Sequence, residues 1–212
     1  MNRRNLIKFS LFSTAAIVTI PQLAFAITPP QTEGPFYPVS DQADEDTDLV
    51  IVNGSKQRAY GEVVLVEGTL TNQTGGVVAN ALVEIWQACS SGRYNHPSDT
   101  NTAPLDPNFQ YWGKAVTNEK GFYSFRTIIP GSYPADVGWD RPPHIHFKIS
   151  KLGYNELITQ MYFEGEVLNA KDLILKKLSE EDQQKVIVKF KKAPDKDYAV
   201  GLFNIQIEKV LA

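Results

Sequence analysis

Two histidines one residue apart, His144 and His146, and two tyrosines set beside turns, Tyr94 and Tyr133, are the residues whose types and spacing can do chemistry here. The stretch Arg141-Pro142-Pro143-His144-Ile145-His146-Phe147-Lys148-Ile149 reads as a strand entered through two prolines, and alternate side chains of a strand share a face. His144 and His146 then point to one side while Ile145 packs into the core. At ~3.3 Å rise per residue the two imidazoles lie close enough to hold a single ion. Taken alone, His-x-His also describes two ordinary histidines on a solvated face.

Tyr94 lies in Trp86-Gln87-Ala88-Cys89-Ser90-Ser91-Gly92-Arg93-Tyr94-Asn95-His96. Tyr133 lies in Pro130-Gly131-Ser132-Tyr133-Pro134, after the β-like run Gly121-Phe122-Tyr123-Ser124-Phe125-Arg126-Thr127. Each phenol stands next to turn residues, where it is more easily aimed inward than stacked in a core. Imidazole suits iron, copper, nickel and zinc alike. A phenol, with an ordinary pKa near ~10, ionises only beside something strongly cationic. Two phenolates with two imidazoles therefore select a hard trivalent ion, and Fe(III) is the one expected. The third histidine, His96, reads as a solvent-exposed loop residue, and Trp86 as packing that shapes a pocket wall. Cys89, the only cysteine, reads as a buried small apolar residue, with no intrachain disulfide available to it.

These segments resemble the intradiol ring-cleavage dioxygenases, most of all the iron-bearing β chain of protocatechuate 3,4-dioxygenase. The likeness runs from about Gly61 to the final strand. It includes Leu82-Val83-Glu84-Ile85-Trp86-Gln87, Pro104-Leu105-Asp106-Pro107-Asn108-Phe109 and Thr159-Gln160-Met161-Tyr162-Phe163-Glu164-Gly165. The resemblance implies an Fe(III) held by Tyr94, Tyr133, His144 and His146, with Tyr94 and His144 equatorial and Tyr133 and His146 axial. It implies a chelating ortho-diphenol substrate opened by O2 to a cis,cis-muconate-type diacid, with Tyr133 leaving the metal to accept a proton. Arg141 matches an active-site arginine that stabilises negative charge on the ring, and Gln160 a glutamine supporting the site. Two departures stand out. Ala135 replaces the β chain's tryptophan, and the loop 135–140 is short, with Trp139 just before Asp140-Arg141. The β chain works with an iron-free α chain, whereas a self-sufficient monomer or homo-oligomer is expected here. The helical dimerisation domain of catechol 1,2-dioxygenases has no counterpart.

The elements around these residues suit such a site. From Glu62 onward short alternating runs, including Val63-Leu65-Glu67, Val83-Ile85, Tyr123-Phe125, Ile145-Phe147 and Gln160-Tyr162, are separated by Gly and Asn turns. The expected fold is all-β, an antiparallel β-sandwich over 61–212, closed by Leu202 to Ile207. Residues 27–60, Pro-rich and then acidic, form an extended arm. Its Thr32-Glu33-Gly34-Pro35-Phe36-Tyr37-Pro38 resembles a segment laid over the active-site mouth in the family. A short C-terminal helical segment is expected over Leu168 to Lys192, with Ser179 as N-cap before Glu180, Glu181 and Asp182. The pattern from Glu62 to Ile85 also resembles transthyretin-like modules, so an exported binding sandwich without catalysis is the second reading. Such a module has no need for two tyrosines and His-x-His at one point. A cupin would require more than three histidines, and a two-histidine, one-carboxylate site would require an acid where His146 stands.

Residues 1–26 read as an export signal rather than fold: Arg3 and Arg4, a soft apolar run from Phe9 to Ile20, and Ala24-Phe25-Ala26 before the cut. The paired arginines resemble a twin-arginine signal, the route for proteins exported already folded, and place the protein in the periplasm or outside the cell. No later run suits stable membrane insertion. With Lys+Arg 21 against Asp+Glu 24, the chain is mildly acidic and has no basic cluster suited to nucleic acid.

Overall fold

The structure is a computed structural model, described over residues 27–210 apart from 41, 43 and 195. The export signal therefore lies outside the described residues. Two five-stranded sheets pack face to face, with a two-stranded hairpin beside them. The first sheet is built on β1 (Val63–Asn72), flanked on one side by β4 (Phe122–Ile128). Its other side takes β11 (Ala199–Leu202), edged by β10 (Phe190–Lys192), and then β12 (Ile205–Ile207). The second runs β3 (Trp112–Val116), β2 (Leu82–Trp86), β7 (His144–Ser150), β8 (Leu157–Phe163), β9 (Ile187–Val188). β5 (Tyr133–Asp136) and β6 (Trp139–Arg141) form the hairpin.

All five runs anticipated as strands are strands, and the all-β sandwich holds. Its sheets are nevertheless mixed. β1 runs parallel to both β11 and β12, and β8 parallel to β9, because the chain returns to these strands through long connections, 164–186 before β9 and 193–198 before β11. The helical reading of Leu168 to Lys192 is also too long. Single 3₁₀ turns occupy Val167–Lys171 and Leu175–Lys177, and the one α-helix, α1, spans Glu180–Val186. Ser179 caps it by accepting from the Asp182 amide at 3.1 Å. It stops where Val186-Ile187-Val188 begins, since β-branched side chains lose rotamer freedom in a helix and pack well on a sheet. Among the described residues no helix is long and apolar enough to cross a membrane.

Period-two alternation gives the second sheet two buried faces. Val83, Ile85, Ile145, Phe147 and Ile149 fill the space between the sheets, where Phe147 meets Phe203 at 4.9 Å and Tyr123 at 6.2 Å between ring centroids. Glu84, Trp86, His144, His146, Gln160 and Tyr162 share the opposite face, by the registers Trp86↔His146, His146↔Gln160 and His144↔Tyr162. That face would meet water were it not for the arm.

The arm is stitched across both sheets. Thr28 exchanges hydrogen bonds with Gln206 on β12, and the Gln31 amide donates to the Ile158 carbonyl on β8. Further on, Leu49, Val50 and Ala59 are buried in the core. The Arg126 N–H and carbonyl on β4 pair with Thr47 and Leu49, so the arm also covers a sheet edge. Ion pairs Glu45–Lys114 at 2.6 Å and Asp48–Arg126 at 2.9 Å place its acids on defined partners.

Candidate metal centre

Three segments bring the four donors together. β7 carries His144 and His146 on its covered face, with ring centroids 5.0 Å apart and both residues buried. Tyr94 and Tyr133 come from two loops that cross at their glycines. Gly92 has φ +80°, and a Cβ there would strike the Ser132 carbonyl oxygen. A Cβ on Gly131 would strike the Gly92 amide nitrogen and the Ser90 carbonyl. The Cys89 carbonyl accepts from the amides of both Gly92 (2.9 Å) and Gly131 (3.0 Å), tying the loops at one point. Only glycine permits so close a crossing, and the crossing joins the two loops whose phenols line one cavity.

Tyr94, Tyr133, His144 and His146 all line one cavity of about 20 Å³, closed by Trp86 and Phe36. That is room for little more than a water molecule. An outer chamber of about 440 Å³ adjoins it and shares Tyr133, Phe36 and Asp99. Arg141 lines the outer chamber alone.

The donors suit a metal. Burial first, then Arg141 and His146, holds His144 well below the ordinary histidine range, so it is a neutral ligand. Its Nδ1 lies 2.7 Å from the Pro142 carbonyl, which fixes the proton there and leaves Nε2 as the free lone pair. Burial, then Arg141, pushes His146 down to about 3. Its Nδ1 is buried without a partner, and stacking on Trp86 (4.8 Å, 14°) fixes the ring instead. Trp86, expected only as wall, is thus the platform under a donor. Burial raises both phenols, with Arg141 drawing Tyr133 partway back. Without a cation in the cavity they stay protonated. Among the described residues no three His, Cys, Asp or Glu side chains converge on a metal site, so any ion held here needs the phenols. The residues fit Fe(III).

Behind the donors lies a buried polar network. Arg141 Nε donates to Asp172 Oδ2 at 2.7 Å and Nη2 to Gln160 Oε1 at 2.6 Å. The Tyr162 hydroxyl donates to Gln31 Oε1 at 2.9 Å, and Gln160 Nε2 donates to the Thr32 carbonyl at 2.9 Å. Gln160 lines neither cavity; it pairs with His146 across the strands and its Oε1 accepts from Arg141 and Tyr162. Asp172 and Gln31 were not among the expected residues. Both stand in polar stretches that carry no local signal. His96 departs from expectation: it is half-buried, 5.5 Å from the Phe36 ring, because the arm folds over it. It lines neither cavity. Cys89 is fully buried, as expected.

On the hairpin, pairing shifts between Pro134 and Asp136, so Ala135 is a bulge, and Trp139 pairs with Asp136 across from it. Ala135 and Trp139 both line the outer chamber.

A sandwich with two imidazoles and two phenols lining one small cavity suits a dioxygenase, and the sequence profile of the family described as "Dioxygenase" matches residues 32–208. The chain belongs to the intradiol ring-cleavage dioxygenase family. It is 39% identical over 160 residues to the protocatechuate 3,4-dioxygenase beta chain of Burkholderia cepacia, covering 74% of this chain and 68% of that protein. It is 34% identical over 116 residues to a chlorocatechol 1,2-dioxygenase of Pseudomonas putida, covering 48% of this chain but only 42% of the relative's length. Among solved structures, the dioxygenase domain of a dioxygenase–carbohydrate-binding fusion from Streptomyces sp. SirexAA-E superposes with a TM-score of 0.65. It is 26% identical, and the match covers 87% of this chain and 100% of that one.

Proposed function

We propose that the chain is an exported non-haem Fe(III) dioxygenase that opens a catechol-type ring between its two hydroxyls with O2, giving a cis,cis-muconate-type diacid. One observation carries this reading: Tyr94, Tyr133, His144 and His146 line a single enclosed cavity in a chain of this family. Fe(III) held there would act as Lewis acid and template for the diol, and as the cation that lets two buried phenols ionise.

The protein's own groups divide the remaining work. Tyr94 faces the inner cavity alone and stays a permanent anionic ligand. Tyr133 faces both compartments, so its phenolate is the base that takes one diol proton as the substrate enters. Arg141 stabilises negative charge developing on the ring, a task that a preorganised cation performs best where water is excluded. Gln160 and Asp172 hold that guanidinium in place. The substrates are a small ortho-diphenol and O2, and neither nucleic acid nor membrane is a partner. We infer a self-sufficient monomer or homo-oligomer.

Iron-replete protein should hold about one iron per chain, show reddish-brown tyrosinate-to-iron charge transfer, and consume oxygen with catechol, protocatechuate or hydroxyquinol. A colourless preparation that opens none of these rings would remove the reading. Export through the folded-protein route is checked by Arg3-Arg4→Lys-Lys, which should trap precursor in the cytoplasm.

A further inference from the structure

We propose that the outer chamber selects catechols carrying a bulky uncharged substituent and turns away those carrying a carboxylate. This deepens the ring-cleaving reading and rests on it.

The first observation is space. The chamber of about 440 Å³ lies within the range that encloses drug-sized ligands, far beyond the inner cavity where the two hydroxyls must sit. Ala135, Trp139, Ile174 and Thr100 line this chamber and not the inner cavity. Ala135 sits at the bulge and offers no side chain beyond Cβ, while Trp139 supplies an aromatic wall.

The second observation is charge. Among the described residues lining the chamber, Asp99 and Arg141 are the ionic ones. Arg141 is already engaged: Nε donates to Asp172 and Nη2 to Gln160. Asp99 is fixed by the amides of Tyr94 and Asn101, each at 2.8 Å. The hairpin residues that line the chamber, Tyr133, Pro134, Ala135 and Trp139, bring no base before Arg141, and the segment 98–103 holds none. Lys176 and Lys177, which follow Ile174, do not line the chamber. A carboxylate entering here would lose water and meet no cation other than Arg141, whose charge is already paired with Asp172. Stranding a charge in this way is among the costliest events in a protein interior. A neutral ester, amide or ether meets instead the hydroxyls and amide of Thr100, Asn101 and Thr102.

The test compares 3,4-dihydroxybenzoate with its methyl ester on the iron-loaded full chain. Oxygen uptake and the ring-opened product give kcat/KM, and calorimetry gives binding. The ester should be favoured by roughly tenfold or more in both, a small part of the penalty for an unpaired buried charge. Thr100→Arg, or Ala135→Lys should that variant fail to fold, should move the ratio toward the acid by roughly tenfold. Equal or better turnover and binding of the acid by the wild type would overturn the proposal while leaving ring cleavage standing. If neither diol is opened, the ring-cleaving reading fails, and calorimetry still decides: tighter binding of the ester supports this selectivity, tighter binding of the acid overturns it.

Discussion

Arg141 and Asp172 form a buried ion pair, Nε to Oδ2 at 2.7 Å, with side chains 5% and 0% exposed. The second carboxylate oxygen accepts from the amides of Ile174 (3.1 Å) and Leu175 (2.7 Å). One acid thus aims the guanidinium at the site and pins the loop that carries Ile174 into the outer chamber. Removing one partner of such a pair strands the other charge.

Asp172→Ala should therefore destabilise the fold by about 3–5 kcal/mol in denaturant unfolding. Asp172→Asn keeps an acceptor for the loop amides and should unfold later than the alanine variant, yet still lose kcat because Arg141 is no longer held. A loss confined to KM in Asp172→Asn would contradict the positioning role.

The two tyrosines should separate in iron content against turnover. Tyr94→Phe removes the enclosed anionic donor and should lose both iron and activity. Tyr133→Phe should keep more iron and still bind a catechol, while kcat falls by roughly 10²-fold for want of the proton acceptor. Wild-type turnover in Tyr133→Phe would show that another group takes the proton.

Two glycines test the loop crossing. Gly92 and Gly138 share left-handed φ values of +80° and +74°, but a Cβ on Gly138 meets nothing within 4 Å. Gly138→Ala should cost only the conformational strain, about 1–2 kcal/mol. Gly92→Ala adds the collision with the Ser132 carbonyl and should cost more, with loss of bound iron as Tyr94 and Tyr133 separate. Equal effects in thermal melts and iron assays would mean the crossing does not assemble the site.

The iron-free protein should weaken in mild acid. His146 is held near 3 in the fold, against about 6.5 unfolded, so the unfolded chain binds the extra proton first. The stability of the neutral, buried form is present above about pH 6.5 and is lost as pH falls toward 3. His144, held low in the same way, adds to the slope. Urea midpoints should fall across that window, and His146→Asn should flatten the decline; a pH-independent midpoint would argue against two buried neutral imidazoles.

The local pattern of the chain already named the site's parts. His-x-His beside Phe147-Lys148-Ile149 placed two imidazoles on one strand face, because a period of two is a property of the backbone and needs no partner. Tyr94 and Tyr133 were legible for a related reason: turn residues next to a phenol leave it free to face inward. The five alternating runs and the Ser179 cap were readable on the same local grounds. The helical pattern over Leu168 to Lys192 yielded only 3₁₀ turns before Ser179 and ended at Val186, where β9 and β10 take up the edges of the two sheets.

By itself, then, the sequence determined the sandwich class, the donor types and the family. Only the tertiary structure decided that Asp172 answers Arg141 across 31 residues of chain, that Gln31 reaches Tyr162 across 131, and that the arm roofs the site with Phe36. It also decided the parallel edges and the division into an inner cavity and an outer chamber. The physical reason is one of range. Strand faces, caps and turns follow from dihedral preferences of neighbouring residues, whereas a buried ion pair or a chamber wall depends on which distant segments the whole fold presses together.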